Sequence, residues 1–597
     1  MSIVVQKFGG TSVADADRIR RAAERAVATK RAGYQVVMVV SARGKKTDEL
    51  VSLAAEITKR PRPREMDMLL STGEQESVAL MAMAVHELGE EAISLTGAQI
   101  GVKTDGSHTK ARIISISTQR MRHALDAGQI VIAAGFQGVD EDFNITTLGR
   151  GGSDTTAAAL AAVLNAELCE IYTDVEGVFT TDPRVVPEAM KVERVSYDEM
   201  LELASLGAGV MHSRSIEFAK KYHVNLKVKP SYADGPGTLI APDPADPAPM
   251  VSGVAFVRNE ARVSLVGVPD QPGVMSQLFS RLSESRIPVD MVVQNVGEAG
   301  TANISFTVAE DDLEKSLQVA TAATEALGGT VSHLGNMSKV SVVGHGMQTH
   351  TGVAAHMFQV LADNGVNINM VTTSEIKISV LIDRDQCDLV TRAVHAGFHL
   401  DQSGPEAPQV GVKSAPSVAA LPPRDAARLE EDIVSRLSGM EDIVVSDVYG
   451  DDTQARITIT QLPDKPGVAA RVFSAVANGG ILVDMIIQNA GRDGMANISF
   501  TIPATKVDSC VELLRAAFAD DARMKISCDR SIGKLSVVGI GLRSHTDVGA
   551  KMFRTLADCG INVQMVNTSE IKVSVVVDRS VTEKALSALR DTFGLAR

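Results

Sequence analysis

Short apolar runs alternate with longer stretches of helical period through the first 240 residues. The runs at 3–8, 35–41, 130–134, 170–173 and 225–228 are rich in β-branched residues, the pattern of parallel strands buried on both faces. Between them, 14–31, 64–86 and 154–165 carry apolar positions at helical spacing. Strands alternating with helices predict a three-layer α/β/α sandwich over residues 1–240. Proline at every second or third position from 242 to 249 makes 241–249 a stiff linker and the clearest boundary in the chain.

Beyond that linker the pattern repeats. Asp270-Gln271-Pro272-Gly273 recurs as Asp464-Lys465-Pro466-Gly467, and Val289-Asp290-Met291 as Val483-Asp484-Met485. Thr373-Ser374-Glu375-Ile376-Lys377 recurs as Thr568-Ser569-Glu570-Ile571-Lys572. A register kept over so long a period signals duplication. Each copy holds two similar halves that read strand, glycine turn, helix, strand. The tail is therefore expected as four small α+β modules in two tandem pairs, at 250–330, 331–404, 425–525 and 526–597. The Pro-, Ser- and Ala-rich segment 405–424 joins the pairs.

At 597 residues the chain is too long for one core. A net charge of -14 and only 4% aromatic residues argue against a nucleic-acid partner. No apolar run is long enough to cross a bilayer. Five scattered cysteines with no C-x-x-C pair suit reduced thiols in a cytoplasmic setting and no metal centre.

Two glycine-rich turns carry the candidate chemistry. Lys7 follows the first run and precedes Gly9, Gly10 and Ser12; Arg150 lies between Gly149 and Gly151, with Ser153 and Asp154 opening a helix. Glycines let backbone N–H groups approach an anion, and a helix N-terminus adds its positive end. Lys7 suits charge on a transferring phosphoryl group, or is a surface lysine beside a structural turn. Arg150 offers a planar fork to a carboxylate, and Ser153 can cap its helix while touching a ligand. Thr47 reads equally as a substrate contact or a helix cap, and Glu74 as an ammonium partner or a solvated helical glutamate. The segment Thr173, Asp174, Phe179, Asp182, Arg184 ends a strand in a polar loop suited to a nucleotide, or is a plain turn. Gly44-Lys45-Lys46-Thr47 mimics the end of a P-loop, but Val39 stands where its first glycine belongs.

In each tail copy, Asp270, Gly273 and Val274, and likewise Asp464, Gly467 and Val468, sit at a helix start that can hold an α-carboxylate. Asp290 or Gln294 beside Asn295, and Asp484 or Gln488 beside Asn489, are candidates for the ammonium. Asn367, Ile368 and Ser374, with Asn562, Val563 and Ser569, can close such pockets from facing strands. The alternative is that Pro-Gly merely opens a helix and the aspartate caps it.

The stretches KFGGTSV (7–13), VVSARGKKTDEL (39–50), LLSTGEQES (69–77), SLTGAQIGVKT (94–104), AAGFQGVD (133–140), TLGRGGSDTTA (147–157), YTDVEGVFTTDPR (172–184) and MLELASLGAGVMHSRSIEFAKKY (200–222) resemble, in order, aspartate kinases of the amino-acid kinase family. The tail modules resemble ACT regulatory modules, ferredoxin-like units that bind amino acids. The resemblance implies transfer of the ATP γ-phosphoryl group to the β-carboxylate of L-aspartate, with Mg2+ carried by the nucleotide. It implies feedback by lysine, threonine or both, and a homodimer formed through ACT modules. On this likeness Lys7, Arg150 and Asp154 are catalytic. Thr47, Glu74, Arg150 and Ser153 bind aspartate. Lys7, Gly9, Gly10, Ser12, Thr173, Asp174, Phe179, Asp182 and Arg184 hold the nucleotide. Arg43, Lys46, Ser213 and Lys229-Pro230 depart from the common pattern, the first two adding positive charge near the aspartate pocket. A kinase for glutamate or acetylglutamate, and an amino-acid sensor with an inactive kinase-like domain, are the competing readings.

Overall fold

The structure is a computed structural model that describes residues 1–206, 210–242, 249–296, 300–348, 350–402, 440, 444–490, 494–521, 523–540 and 546–595. Most of the 241–249 linker and all of the 405–424 linker lie outside the described residues. Among the described residues no helix is long and apolar enough to cross a membrane.

The N-terminal half is built on an eight-stranded sheet. Its order is Arg194–Ser196, Thr238–Ala241, Leu226–Pro230, Leu168–Thr173, Ile3–Phe8, Gln35–Val40, Ile130–Ala134, Ala92–Leu95. The first two strands run against the rest, which are parallel. Alternation along Gln35–Val40 shows why both faces are apolar. Val37 and Val39 face one core with helices Gly152–Leu164 and Ser213–Lys221. Val36, Met38 and Val40 face the other with helices Ala16–Arg31 and Pro63–Glu87. This is the expected sandwich. A second, four-stranded sheet of Ile113–Ile116, Val102–Thr104, Gln137–Val139 and Ile145–Thr147 was not legible, because its strands are three or four residues long.

The tail modules are α+β units, but their strands interleave. Residues 253–257 pair with 339–343, while 262–266 pair with 330–334. The segment that opens the expected first module is thus the outer strand of the second. Likewise Val444–Asp451 pairs with Ile532–Ile540, placing it in the fourth module rather than the third.

The spatial pairing also departs from the tandem order. Met370–Thr373 of the second module pairs with Ile486–Ala490 of the third. Their helices Val353–Asp363 and Val468–Asn478 share one core, with the Phe358 and Phe473 rings 5.3 Å apart. The first and fourth modules share another, with Phe279 and Phe553 at 4.9 Å. Met291, Met370, Met485 and Met565, one from each module, meet in a buried cluster between the two pairs. Edge strands expected to join subunits therefore join modules of a single chain. A chain ending after Gln402 would lose half of each shared core. It is expected to self-associate, restoring the pairing with a second copy, and light scattering should give a dimer mass. A monodisperse monomer would contradict this.

Candidate active site

Parallel strands end together, so the loops after Ile3–Phe8 and Gln35–Val40 meet on one rim, where ligands of open α/β sheets bind. Gly10 is needed there: a Cβ on it would lie 2.6 Å from the Ala42 carbonyl oxygen. The second glycine turn closes the rim. Gly151 adopts φ 70°, and its missing Cβ leaves room for His212.

A cavity of about 1020 Å³ lies between these loops. Lys7, Gly9, Gly10, Thr47, Glu74, Arg150, Ser153 and Asp154 all line it. Lys7 Nζ is 2.5 Å from Asp154 Oδ1, both side chains nearly buried. Arg150 is exposed and has no ion pair among the described residues, so its guanidinium is available to an anion. Glu74 is buried in helix Pro63–Glu87; its Oε1 accepts from the Ala42 amide at 3.1 Å while Oε2 has no partner. Burial pushes the Glu74 carboxyl up to about 7, against the opposing pull of the Ala42 amide. A buried acid with one free oxygen fits an incoming ammonium, which would draw its pKa down again.

Other expected nucleotide residues do not line this cavity. Ser12 Oγ donates to the Tyr172 carbonyl at 3.4 Å. Thr173 ends its strand and donates to Asp174 at 3.2 Å. Phe179 bridges to Lys191, and Asp182 is held by Arg184, whose side chain is 88% exposed. Thr180, in that same loop, hydrogen-bonds His395 of the second module at 2.9 Å. The stretch read as a nucleotide loop also docks a regulatory module.

The departures from the family pattern are accounted for. Arg43 and Lys46 both pair with Glu76, at 2.7 and 3.3 Å, and neither lines the cavity. Lys229 pairs with Glu170 at 3.0 Å and braces the sheet. Ser213 opens a helix whose Arg214 amide donates to His212 Nδ1 at 3.3 Å. Sequence reasoning passed over Lys110, Arg112, His212 and Arg214, which also line the cavity. They sit outside the glycine turns and the strand-end loop from which the candidates were read. Among the described residues no group of three His, Cys, Asp or Glu could hold a metal ion.

The tail candidates converge across the module pairs. Asn367 Nδ2 donates to Asp464 Oδ1 at 3.0 Å and Gln488 Nε2 to the Ile368 carbonyl at 3.0 Å, in a small cavity with Gly467 and Val468. The other pair repeats this, with Asn562 donating to Asp270 at 2.8 Å and Gln294 to the Val563 carbonyl at 2.6 Å. Gly273 and Val274 begin the adjoining helix. Ser374 and Asp484 line a second cavity, Ser569 and Asp290 its counterpart. Asp290 and Asp484, read as one of two choices for a ligand's ammonium, are paired here with Lys339 and Lys534. The side chains of Asn295 and Asn489 lie outside the described residues.

Residues 2–229 match the amino acid kinase family, and 263–323, 340–398, 460–518 and 535–593 each match the ACT domain. An aspartate kinase of Stutzerimonas stutzeri is 49% identical over 409 residues, 67% of this chain and 98% of its own. The solved aspartate kinase from Synechocystis is similar over 99% of this chain and 98% of its own, at 38% identity and a TM-score of 0.52. Aspartokinase III of E. coli, solved in complex with aspartate and ADP, is 25% identical over 66% of this chain and all of its own (100%), with a TM-score of 0.58. The same enzyme in complex with lysine and aspartate is 26% identical over 66% of this chain and 99% of its own, with a TM-score of 0.53.

Proposed function

The chain belongs to the amino acid kinase family and, within it, to the aspartate kinases; on that premise we propose that it moves the γ-phosphoryl group of ATP to the β-carboxylate of L-aspartate, giving 4-phospho-L-aspartate for lysine, threonine and methionine synthesis. The observation that carries the reading is one cavity lined by a carboxylate that can accept from an ammonium, an arginine fork that can donate to a carboxylate and a lysine beside a glycine turn. A carboxylate is already ionised at neutral pH, so the acceptor needs no general base. Its obstacle is repulsion from the triphosphate, which Lys7 and the glycine-turn amides offset while Glu74 and Arg150 fix the acid for in-line attack. Magnesium, carried by the phosphates, would supply further charge neutralisation.

Acceptor assays with L-aspartate, L-glutamate and N-acetylglutamate test the substrate, and the highest kcat/KM is expected with aspartate. Glu74 must be ionised to hold the ammonium. The KM for aspartate should therefore rise about tenfold per pH unit below about 7. Glu74→Gln should raise that KM, leave the ATP KM in place and flatten the pH dependence. An unchanged pH profile in the variant would remove Glu74 from the site.

Feedback by lysine, threonine or both belongs to this reading. The Asn367–Asp464–Gln488 and Asn562–Asp270–Gln294 clusters are the pockets that would receive the effectors. The E. coli complex with lysine supports this. A homodimer of the full chain would be built on surfaces other than the paired edges of the second and third modules.

A further inference from the structure

Asp67 lies two helical turns before Glu74 on helix Pro63–Glu87, so the two carboxylates share a face. Its side chain is fully buried. A carboxylate so deep persists only with donors around it. Thr147 Oγ1 donates to Oδ1 at 2.6 Å, the Thr109 amide to both oxygens at 3.1 and 3.0 Å, and His108 Nδ1 lies 2.7 Å from Oδ2. Of the anchored residues, Thr109 and Thr147 themselves line the cavity. Lys110 follows Thr109, and Arg150 lies one short turn beyond Thr147. The two segments also hold each other, the Ala111 amide donating to the Thr147 carbonyl at 2.9 Å. Arg214 ties them together on the far side, donating to the carbonyls of Ala111 and Leu148.

We infer that Asp67 is a positioning residue that fixes the helix bearing Glu74 against the two facing segments at 109–110 and 147–150, and through them the length of amino-acid acceptor the pocket takes. This rests on the proposed reading, in which Glu74 receives the ammonium and Arg150 a carboxylate. Aspartate and glutamate differ by one methylene, and a pocket of fixed length turns that into roughly 10–200-fold in kcat/KM. Asp67 is the point where the helix bearing Glu74 is tied to both segments that bear the facing cations. Loosening it lets the two walls move independently without removing any group that touches substrate.

The test uses the full chain with Asp67→Asn, which keeps the volume but loses the charge, and Thr147→Val, which removes one donor. For each, kcat/KM is measured with L-aspartate and L-glutamate, beside the ATP KM. Asp67→Asn should raise the aspartate KM about tenfold or more, leave the ATP KM unchanged and narrow the aspartate-to-glutamate ratio. Thr147→Val should do the same to a smaller extent. If Asp67→Asn does not fold, the ratio in Thr147→Val decides. An unchanged ratio in the folded variants, or equal losses for ATP and aspartate, would overturn the assignment. A wild-type chain that prefers another acid to aspartate overturns the functional reading itself, an outcome separate from a fixed ratio in active variants.

Discussion

Lys7→Ala is expected to lower turnover by about 3–4 kcal/mol, a few hundredfold, with little change in aspartate KM. The size follows from where the charge sits. Lys7 Nζ lies 2.5 Å from Asp154 at the floor of the cavity, with only 11% of the side chain exposed, so water screens it weakly. It stands on a strand paired on both sides, at Val39 and at Ile171, and so cannot drift from the phosphate position. Its removal does more than delete a cation: Asp154 is left unpaired and facing a triphosphate. The double variant Lys7→Ala/Asp154→Asn should for that reason recover part of the loss. Single-turnover rates with ATP and aspartate, beside circular dichroism to verify folding, measure this. Near-wild-type turnover in a folded Lys7→Ala protein would exclude Lys7 from the chemistry.

What the sequence disclosed and what it withheld divide along a physical line. Strands such as Ile130–Ala134, buried on both faces, announce themselves by composition, and the strand is found where the pattern puts it. Glycine turns announce a ligand-facing backbone, and so Lys7, Arg150 and Asp154 were legible before any coordinates. Lys110 and Arg214 were not, since nothing local separates a lysine that lines a cavity from one that faces solvent. The interleaved modules were hidden for a different reason. Residues 253–257 find their partners at 339–343 by long-range pairing, which periodicity does not encode. The same holds for the crossed pairing of modules. Each helix face is apolar wherever its partner comes from, so the repeat revealed four units without revealing which two would meet. On the repeated Ser-Glu-Ile-Lys turns the two copies make different contacts. Lys572 pairs with Glu375 of the other copy, whereas Lys377 reaches into the kinase half.

That contact carries the second large effect: Lys377→Met is expected to abolish or strongly blunt the proposed feedback by lysine, threonine or both. Lys377 Nζ lies 2.7 Å from Glu202 Oε2, with side chains 3% and 0% exposed. The other oxygen of Glu202 accepts from the Glu570 amide at 3.3 Å. Lys377 belongs to the pair made by the second and third modules, and Glu570 to the pair made by the first and fourth. One kinase carboxylate thus touches both units proposed to receive effectors. Glu202 lies on helix Tyr197–Ser205, which packs against helix Ser213–Lys221, and Arg214 of that second helix holds the carbonyls of Leu148 and Ala111 at the cavity wall. A shift of either module pair has a continuous route to the turn bearing Arg150, and coupling of about 1–3 kcal/mol is enough for feedback. Lys377→Met alone strands a buried carboxylate at a cost of about 3–5 kcal/mol, so the melting temperature should fall as well. Pairing it with Glu202→Gln removes the stranded charge and should restore the melting temperature without restoring inhibition. That separation distinguishes a route for the signal from a mere prop. An inhibition curve in the double variant that overlays the wild type would show that the effectors act by another path.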